Sequence, residues 1–495
     1  MSTVRGLWDA AETAGGERCA LAGAERLTYS GLGDRIRSTA ADLASGWEVR
    51  PGDVVALLAP NETAFVVGYF AVQEVGAVAL PLDARLTDDE LAMILAHSGA
   101  VGLLAAPRLS ARASRLCATA GPCLPLRLLA HPSAAPAVSS RRSRPSRPPS
   151  AVAELLYTSG TTAAPKGVLR SHENVLAAVR NARTAFGYTS EDTIAIAMPL
   201  SHSSALTSQL LPVLQAGGRV VLLPRFEPEE MIETIAAERV TCVRLVPAMI
   251  RLLLAHAGFD AAALPSLRLI MNSSAPVDAD TYRELKRRFA GISVLNSYGL
   301  TEASTCTVLP DALALTHSGS VGAPVDGVRL GVRGDDGAEL GPGEEGEIWV
   351  AGAHVSIGYH RDEAATAAAR SGDWLRTGDL GRIDSDGMLF LNGRRDDLIN
   401  CGGRKVVPEE VERCVSQAPG VREAACTAMP HRVLGQVVHA FVVPDGSGLF
   451  DPRAVVRHCA GALPSHMVPF QVTAVSELPR NAVGKLVRRR LQAAT

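Results

Sequence analysis

The sequence predicts an α/β protein: a large N-terminal domain of mostly parallel sheets with helices plus a β-rich subdomain, and a small α+β C-terminal domain. Three observations carry this. Short apolar runs at 54–59, 77–82, 101–106, 220–223, 242–246 and 267–271 alternate with helical stretches such as 64–75 and 228–238. Short unbroken runs of this kind suit strands buried on both faces, as in parallel sheets. From 322 to 391 the pattern changes to short β segments, including EIWVAG and GMLFLNG, separated by Gly and Asp turns. Beyond Gly393-Arg394-Arg395-Asp396 a final stretch has helices and strands of its own, so the expected domains are 1–394 and 395–495.

A chain of 495 residues exceeds one ordinary core. Its net charge of −2 gives no global attraction to nucleic acid, and 4% aromatic content argues against a base-stacking surface. The nine cysteines form no CxxC pair and no HExxH motif occurs, which fits thiols in a reducing compartment. The start, MSTVRGLWDAAETAGG, has no apolar signal core. The most apolar stretch, 64–82, is interrupted by Gln73 and Glu74, so it reads as a buried helix and strand rather than a membrane span. A soluble, cytoplasmic protein without a membrane or nucleic-acid partner is expected. Residues 131–150, HPSAAPAVSSRRSRPSRPPS, cannot bury a core and read as a solvated connector or a basic docking patch.

The densest chemistry lies at 157–168, YTSGTTAAPKGV, just after the apolar Leu155-Leu156. The hydroxyls of Thr158, Ser159, Thr161 and Thr162, the flexible Gly160 and the point charge of Lys166 all suit phosphate oxygens. No GxxxxGK[ST] loop is present. Composition alone leaves a Ser/Thr-rich solvent loop as an equal reading.

This segment resembles the phosphate loop of the adenylate-forming superfamily, which includes acyl- and aryl-CoA synthetases, luciferases and peptide-synthetase adenylation domains. The family pattern is YTSGTTGxPKG, and Ala163 stands where glycine is usual. Further resemblances follow in the family's order: Leu27-Thr28-Tyr29, the run GAVALPL at 76–82, NSYGLTE at 296–302, WLRTGD at 374–379, GRRDD at 393–397, GRKV at 403–406 and PRNAVGK at 479–485. The motif style is closest to that of acyl- and aryl-CoA synthetases.

The resemblance implies ATP-dependent conversion of a small carboxylic acid to its acyl-AMP with release of pyrophosphate, then acyl transfer to a thiol. ATP would be held by the phosphate loop, by Ser274, Ala275 and Pro276, by Asn296, Ser297, Tyr298, Gly299 and Thr301, and by Asp379 and Arg394. Tyr298 offers a stacking face for adenine, Asn296 an edge partner, and Asp379 two acceptors for ribose hydroxyls. Glu302 supplies a hard oxygen for Mg²⁺. Thr158, Glu302, His202 and above all Lys485 are the implied catalytic residues. A lysine between carboxylate and α-phosphate offsets the repulsion of two anions. In the family that lysine rides on a small mobile domain, with Asp396 at the hinge and Gly403 beside the thiol channel.

Met198-Pro199-Leu200-Ser201-His202 resembles the histidine-bearing motif of the CoA synthetases, and it lacks the aspartate with which peptide-synthetase domains hold an α-amine. His202, Arg244, Ser273 and Ser274 are therefore the candidate acid pocket. Arg244 interrupts a buried strand; either a structural carboxylate pairs with it, or it selects a second anionic or oxygenated group on the substrate. CoA is the default acceptor, followed by a carrier-protein phosphopantetheine; some relatives use an amine. Asn400 stands where many members have lysine. The reading from a different class is a catalytically inactive nucleotide-binding relative.

Overall fold

The computed structural model describes residues 2–120, 125–129, 147–158, 166–480 and 486–492. Ser159, Gly160, Thr161, Thr162, Ala163 and Lys485, together with most of the 131–150 connector, lie outside the described residues. The chain divides into two compact units: Met1–Leu330 with Val350–Leu375, and Gly331–Trp349 with Arg376–Thr495.

The first unit contains two sheet regions. In one, the strands Cys19–Ala22, Arg219–Leu222, Thr193–Ile196, Cys242–Leu245, Leu269–Asn272 and Ser293–Leu300 lie side by side in that order, all parallel. Antiparallel Leu27–Thr28 flanks one end, and Ser304–Leu309 then Ser320–Pro324 the other. In the second, Val152–Thr158, Val78–Leu82, Val54–Leu58, Gly102–Ala105 and Leu126–Leu128 run parallel, while Lys166–Ser171 and Gly358–Tyr359 add antiparallel strands beyond Val152–Thr158. The expected strands and helices are present with ends shifted by a residue or two. Helix Thr63–Glu74 is apolar nearly all round because it is buried from Phe65 to Gln73, and Gln73 donates to the Ala153 carbonyl at 2.8 Å. Among the described residues no helix is long and apolar enough to cross a membrane.

The second unit has its own sheet, with Arg404–Val406, Ile399–Cys401, Gly435–Pro444 and Val421–His431 in that order and Gln471–Ala474 also on Gly435–Pro444. Ile399, Val406, Val411, Val415, Val438, Val442 and Val455 fill its core. Much of the β-rich stretch joins this unit. Asp335 pairs with Arg395 and Lys405 at 3.2 and 3.0 Å, and Glu347 with Arg376 and Arg395 at 3.0 and 3.2 Å. The expected division at 394/395 therefore falls inside the second unit.

One element of the first unit stands out energetically. Glu154 and Arg170 lie on the strands entering and leaving the phosphate loop, both at 0% exposure, with Arg170 Nη1 3.4 Å from Glu154 Oε2. The Tyr69 hydroxyl donates to Glu154, and Arg170 reaches Thr207 Oγ1, which bonds the Ser304 hydroxyl at 2.9 Å. Burial is the largest influence on both charges: it raises the Glu154 carboxyl and lowers the Arg170 guanidinium, and their mutual attraction opposes it. Removing one member leaves the other charge uncompensated. Arg170→Met should lower the unfolding free energy by about 3–5 kcal/mol, and adding Glu154→Leu should restore much of the loss. Urea denaturation of the two variants measures this; equal destabilisation by the single and double changes would refute the coupling.

Candidate active site

Ligands in parallel α/β sheets collect at the carboxyl ends of strands, and the candidate residues of the first unit gather there. Past Leu269–Asn272 the chain turns through Ser273, Ser274, Ala275 and Pro276. Ser274 has φ +74°, a conformation that favours glycine, so the segment carries local strain. Asn296 braces it. Its Oδ1 accepts from Asn272 Nδ2 at 2.8 Å and from the Val277 N–H at 3.1 Å, while Asn272 Nδ2 also donates to the Ala275 carbonyl. Asn296 thus uses its carbonyl oxygen on the protein itself. Among the described residues the buried Ser273 hydroxyl has no partner. Tyr298 is 8% exposed. At Gly299 a Cβ would lie 1.9 Å from the Ser304 carbonyl oxygen, so the hairpin after Tyr298 closes only on glycine.

Arg244 is buried on Cys242–Leu245, its guanidinium 5.2 Å from the Phe186 ring. Nη2 donates to Ser297 Oγ at 2.9 Å, and Ser297 in turn donates to the Asn272 carbonyl. Among the described residues no carboxylate pairs with Arg244, and its Nε and Nη1 are buried without partners. Burial lowers the guanidinium to about 10, which still leaves it charged at neutral pH.

His202 precedes the short helix Ser203–Ala205, and its Nε2 lies 3.2 Å from Asp83 Oδ2. Burial would raise the Asp83 carboxyl, but hydrogen bonds with His202 and Arg85 outweigh it and hold the group well below the usual carboxylate range. Asn61 orders the approach to His202: Nδ2 donates to the Ile196 and Met198 carbonyls, and Oδ1 accepts from the Leu200 N–H at 2.9 Å. Thr158 and Lys166 face each other in register, so they close the two ends of the phosphate loop. Lys166 Nζ lies 5.3 Å from the centre of the Tyr359 ring, and the Tyr359 hydroxyl donates to Glu302 Oε1 at 2.9 Å. Thr301 is half-buried in the turn that leads to Glu302.

In the second unit Asp379 and Arg394 pair at 3.1 Å, opposite each other on adjacent antiparallel strands. Within the strand Trp374–Ile383, Gly378 takes φ +72°, and the Asp379 N–H donates to Thr377 Oγ1 at 3.0 Å. Asp396 is exposed in the turn Arg395–Asp397. Gly403, at φ +86°, closes the hairpin between Ile399–Cys401 and Arg404–Val406, where its N–H donates to Asn400 Oδ1.

Comparison with known proteins gives the family. Residues 7–360 match the AMP-binding enzymes, and residues 410–485 match the AMP-binding enzyme C-terminal domain. The chain belongs to the adenylate-forming superfamily. It is 34% identical over 470 residues to the feruloyl-CoA synthase of an Amycolatopsis species, covering 94% of this chain and 93% of that protein. The o-succinylbenzoate coenzyme A synthetase of Bacillus subtilis, solved in complex with ATP and a magnesium ion, superposes with a TM-score of 0.86 at 29% identity, covering 98% of this chain and 99% of that one. The amide bond synthetase McbA of Marinactinospora thermotolerans superposes with a TM-score of 0.89 at 28% identity, covering 99% of each chain.

Within this adenylate-forming enzyme, Glu302 suits a divalent cation. Oε1 is held by one tyrosine hydroxyl and Oε2 accepts no hydrogen bond from described residues, which leaves a hard oxygen for Mg²⁺ beside nucleotide phosphates. Sequence reasoning missed Asn61, Asp83 and Tyr359. The first two have a signal: each is a polar residue shortly after a buried apolar run, where a parallel strand ends. Asp83 also yields a pH prediction. Its depressed folded pKa contributes stability that is present in full above the unfolded value of ~4 and is lost as pH falls through the folded value. Between roughly pH 6 and 2, denaturation midpoints should fall more steeply for wild type than for Asp83→Asn. Parallel curves would contradict the pairing.

Proposed function

We propose that this enzyme activates a small carboxylic acid carrying a second oxygenated or anionic group, forming its acyl-AMP and pyrophosphate from ATP, and then transfers the acyl group to CoA. The observation that carries the substrate reading is Arg244. A buried guanidinium with two nitrogens unpaired among the described residues is costly until something accepts from them, at about 1–3 kcal/mol per unmet donor. It is joined through Ser297 to the motif that frames the adenine platform, and the buried Ser273 hydroxyl adds a further donor. A lipid tail satisfies none of these groups; a small acid with a second carboxylate, hydroxyl or ether oxygen does.

In the first half-reaction a carboxylate oxygen attacks the α-phosphorus and the bond to pyrophosphate breaks. Thr158 and Lys166 anchor the loop that receives the phosphates, His202 oriented by Asp83 lines the acid side, and the Asp379 carboxylate is a ribose acceptor. A divalent cation on Glu302 would neutralise phosphate charge as pyrophosphate departs. The family resemblance gives Lys485 the task of bridging the two anions. In the second half-reaction the thiol attacks the acyl carbonyl and AMP leaves. CoA is chosen because relatives such as the feruloyl-CoA synthase are CoA ligases. A carrier-protein phosphopantetheine presents the same thiol, and acceptor assays should include it and an amine.

Pyrophosphate exchange with a panel of acids tests the reaction: the right acid yields AMP and pyrophosphate, and ADP would overturn the reading. Against the same panel, Arg244→Leu should lower kcat/KM for the two-group acid on the order of 100-fold, while acids without the second group change only a few-fold. A uniform loss across the panel would remove Arg244 from substrate selection.

Two half-reactions need different groups at one acyl carbonyl, so we place a movement at Asp396 that withdraws Lys485 and brings the Gly403 hairpin toward the thiol. Lys485→Ala should then abolish acyl-AMP formation yet still convert supplied acyl-AMP and thiol. Asp396→Pro, which fixes φ, should slow the second step more than the first. Separate assays of the two steps decide; equal losses of both in a folded Lys485→Ala protein would reject the alternation.

A further inference from the structure

Residues 356–359 grip Glu302 at two points. The Ser356 N–H donates to the Glu302 carbonyl oxygen at 2.6 Å, and the Tyr359 hydroxyl donates to Glu302 Oε1 at 2.9 Å. The same tyrosine presents its ring to the Lys166 ammonium, 5.3 Å from the centroid. Among the described residues no ion pair joins Lys166 to Glu302 directly; the tyrosine contacts both. Its backbone is fixed from both sides. Gly358 and Tyr359 pair with Leu169 and Val168 of the strand that leaves the phosphate loop. The Tyr359 N–H donates to Thr366 Oγ1 at 2.9 Å, and a Cβ on Gly358, whose φ is +146°, would meet Thr366 at 2.6 Å.

A lysine and a glutamate attract, and a direct pair would neutralise both. The phenol prevents that by serving each in a different way. Its hydroxyl donates to the carboxylate and leaves Oε2 open, while its ring face attracts the ammonium without taking its protons. We propose that Tyr359 is a positioning residue that keeps the Glu302 carboxylate and the Lys166 ammonium apart and presents them together, one to the divalent cation and one to the phosphates of ATP. This rests on the ATP-dependent reading above.

Equilibrium ATP binding to the full-length protein, measured by calorimetry in excess Mg²⁺ and again in EDTA, tests the proposal without turnover. Wild type should bind ATP more tightly with Mg²⁺. Tyr359→Phe keeps the ring and removes the hydroxyl, so it should shrink that gain roughly tenfold and leave the affinity in EDTA within about twofold. Tyr359→Leu, which removes the ring as well, should also weaken binding in EDTA. In a Glu302→Gln background, Tyr359→Phe should cost nothing further. A wild-type Mg²⁺ gain in Tyr359→Phe, equal losses with and without Mg²⁺, or additive losses with Glu302→Gln would each overturn the positioning role. Wild type that binds no ATP in either buffer would overturn the functional reading and this inference with it.

Discussion

A carboxylate and a guanidinium at zero exposure, on the two strands that border the phosphate loop, set the terms for the rest of the first unit. Neither Glu154 nor Arg170 is tolerable there alone, because desolvating a single charge costs several kcal/mol. Each must be met by polar groups from other elements: Tyr69 from the helix packed on one sheet, Thr207 and through it Ser304 from the layer on the other. The consequence is positional. The network fixes both strands at the level of Glu154 and Arg170, and four residues further on Thr158 and Lys166 face each other where the loop begins and ends.

The same economy of short clamps recurs at the carboxyl ends of the parallel strands. Asn61 holds three backbone groups before His202, and Asn296 with Asn272 holds the turn that contains Ser274. Such clamps do for irregular backbone what ladder hydrogen bonds do within the sheet: they satisfy its donors and acceptors. They also explain how Ser274 persists at a positive φ, since a strained residue survives where its surroundings over-determine it.

The layering was legible in the sequence because strands buried on both faces are written as apolar runs such as 54–59 and 242–246, and because the motif order tolerates few alternatives. Pairings across space were not. Nothing local to Arg244 says that it meets Ser297 and Phe186 rather than a carboxylate; that follows from a strand two places along the sheet and a helix end. Tyr359 looked like one residue of a β-rich stretch, and its chemistry appears only when Gly358–Tyr359 adds to the strand leaving the phosphate loop. The grouping of 331–349 with the C-terminal residues was hidden for a related reason. Composition reports that a segment is β-rich, whereas ion pairs such as Asp335 with Lys405 decide which body it joins.

Arg244 and Arg170 show how one residue type takes opposite roles under the same burial. Both are buried, and among the described residues each keeps two guanidinium nitrogens without a partner. Arg170 has a carboxylate within reach, so its charge is answered inside the protein and its value is architectural. Arg244 has a serine hydroxyl and an aromatic face, which answer its charge only in part. In the proposed function the remainder is a demand for an acceptor on the substrate. A pocket with that demand discriminates more sharply than an apolar one, because a ligand lacking the acceptor leaves buried donors unmet, whereas a misfit in an apolar wall forfeits only a few contacts. In the proposed function, selectivity for an oxygen-bearing acid would follow from the donors that the protein leaves unsatisfied at Arg244.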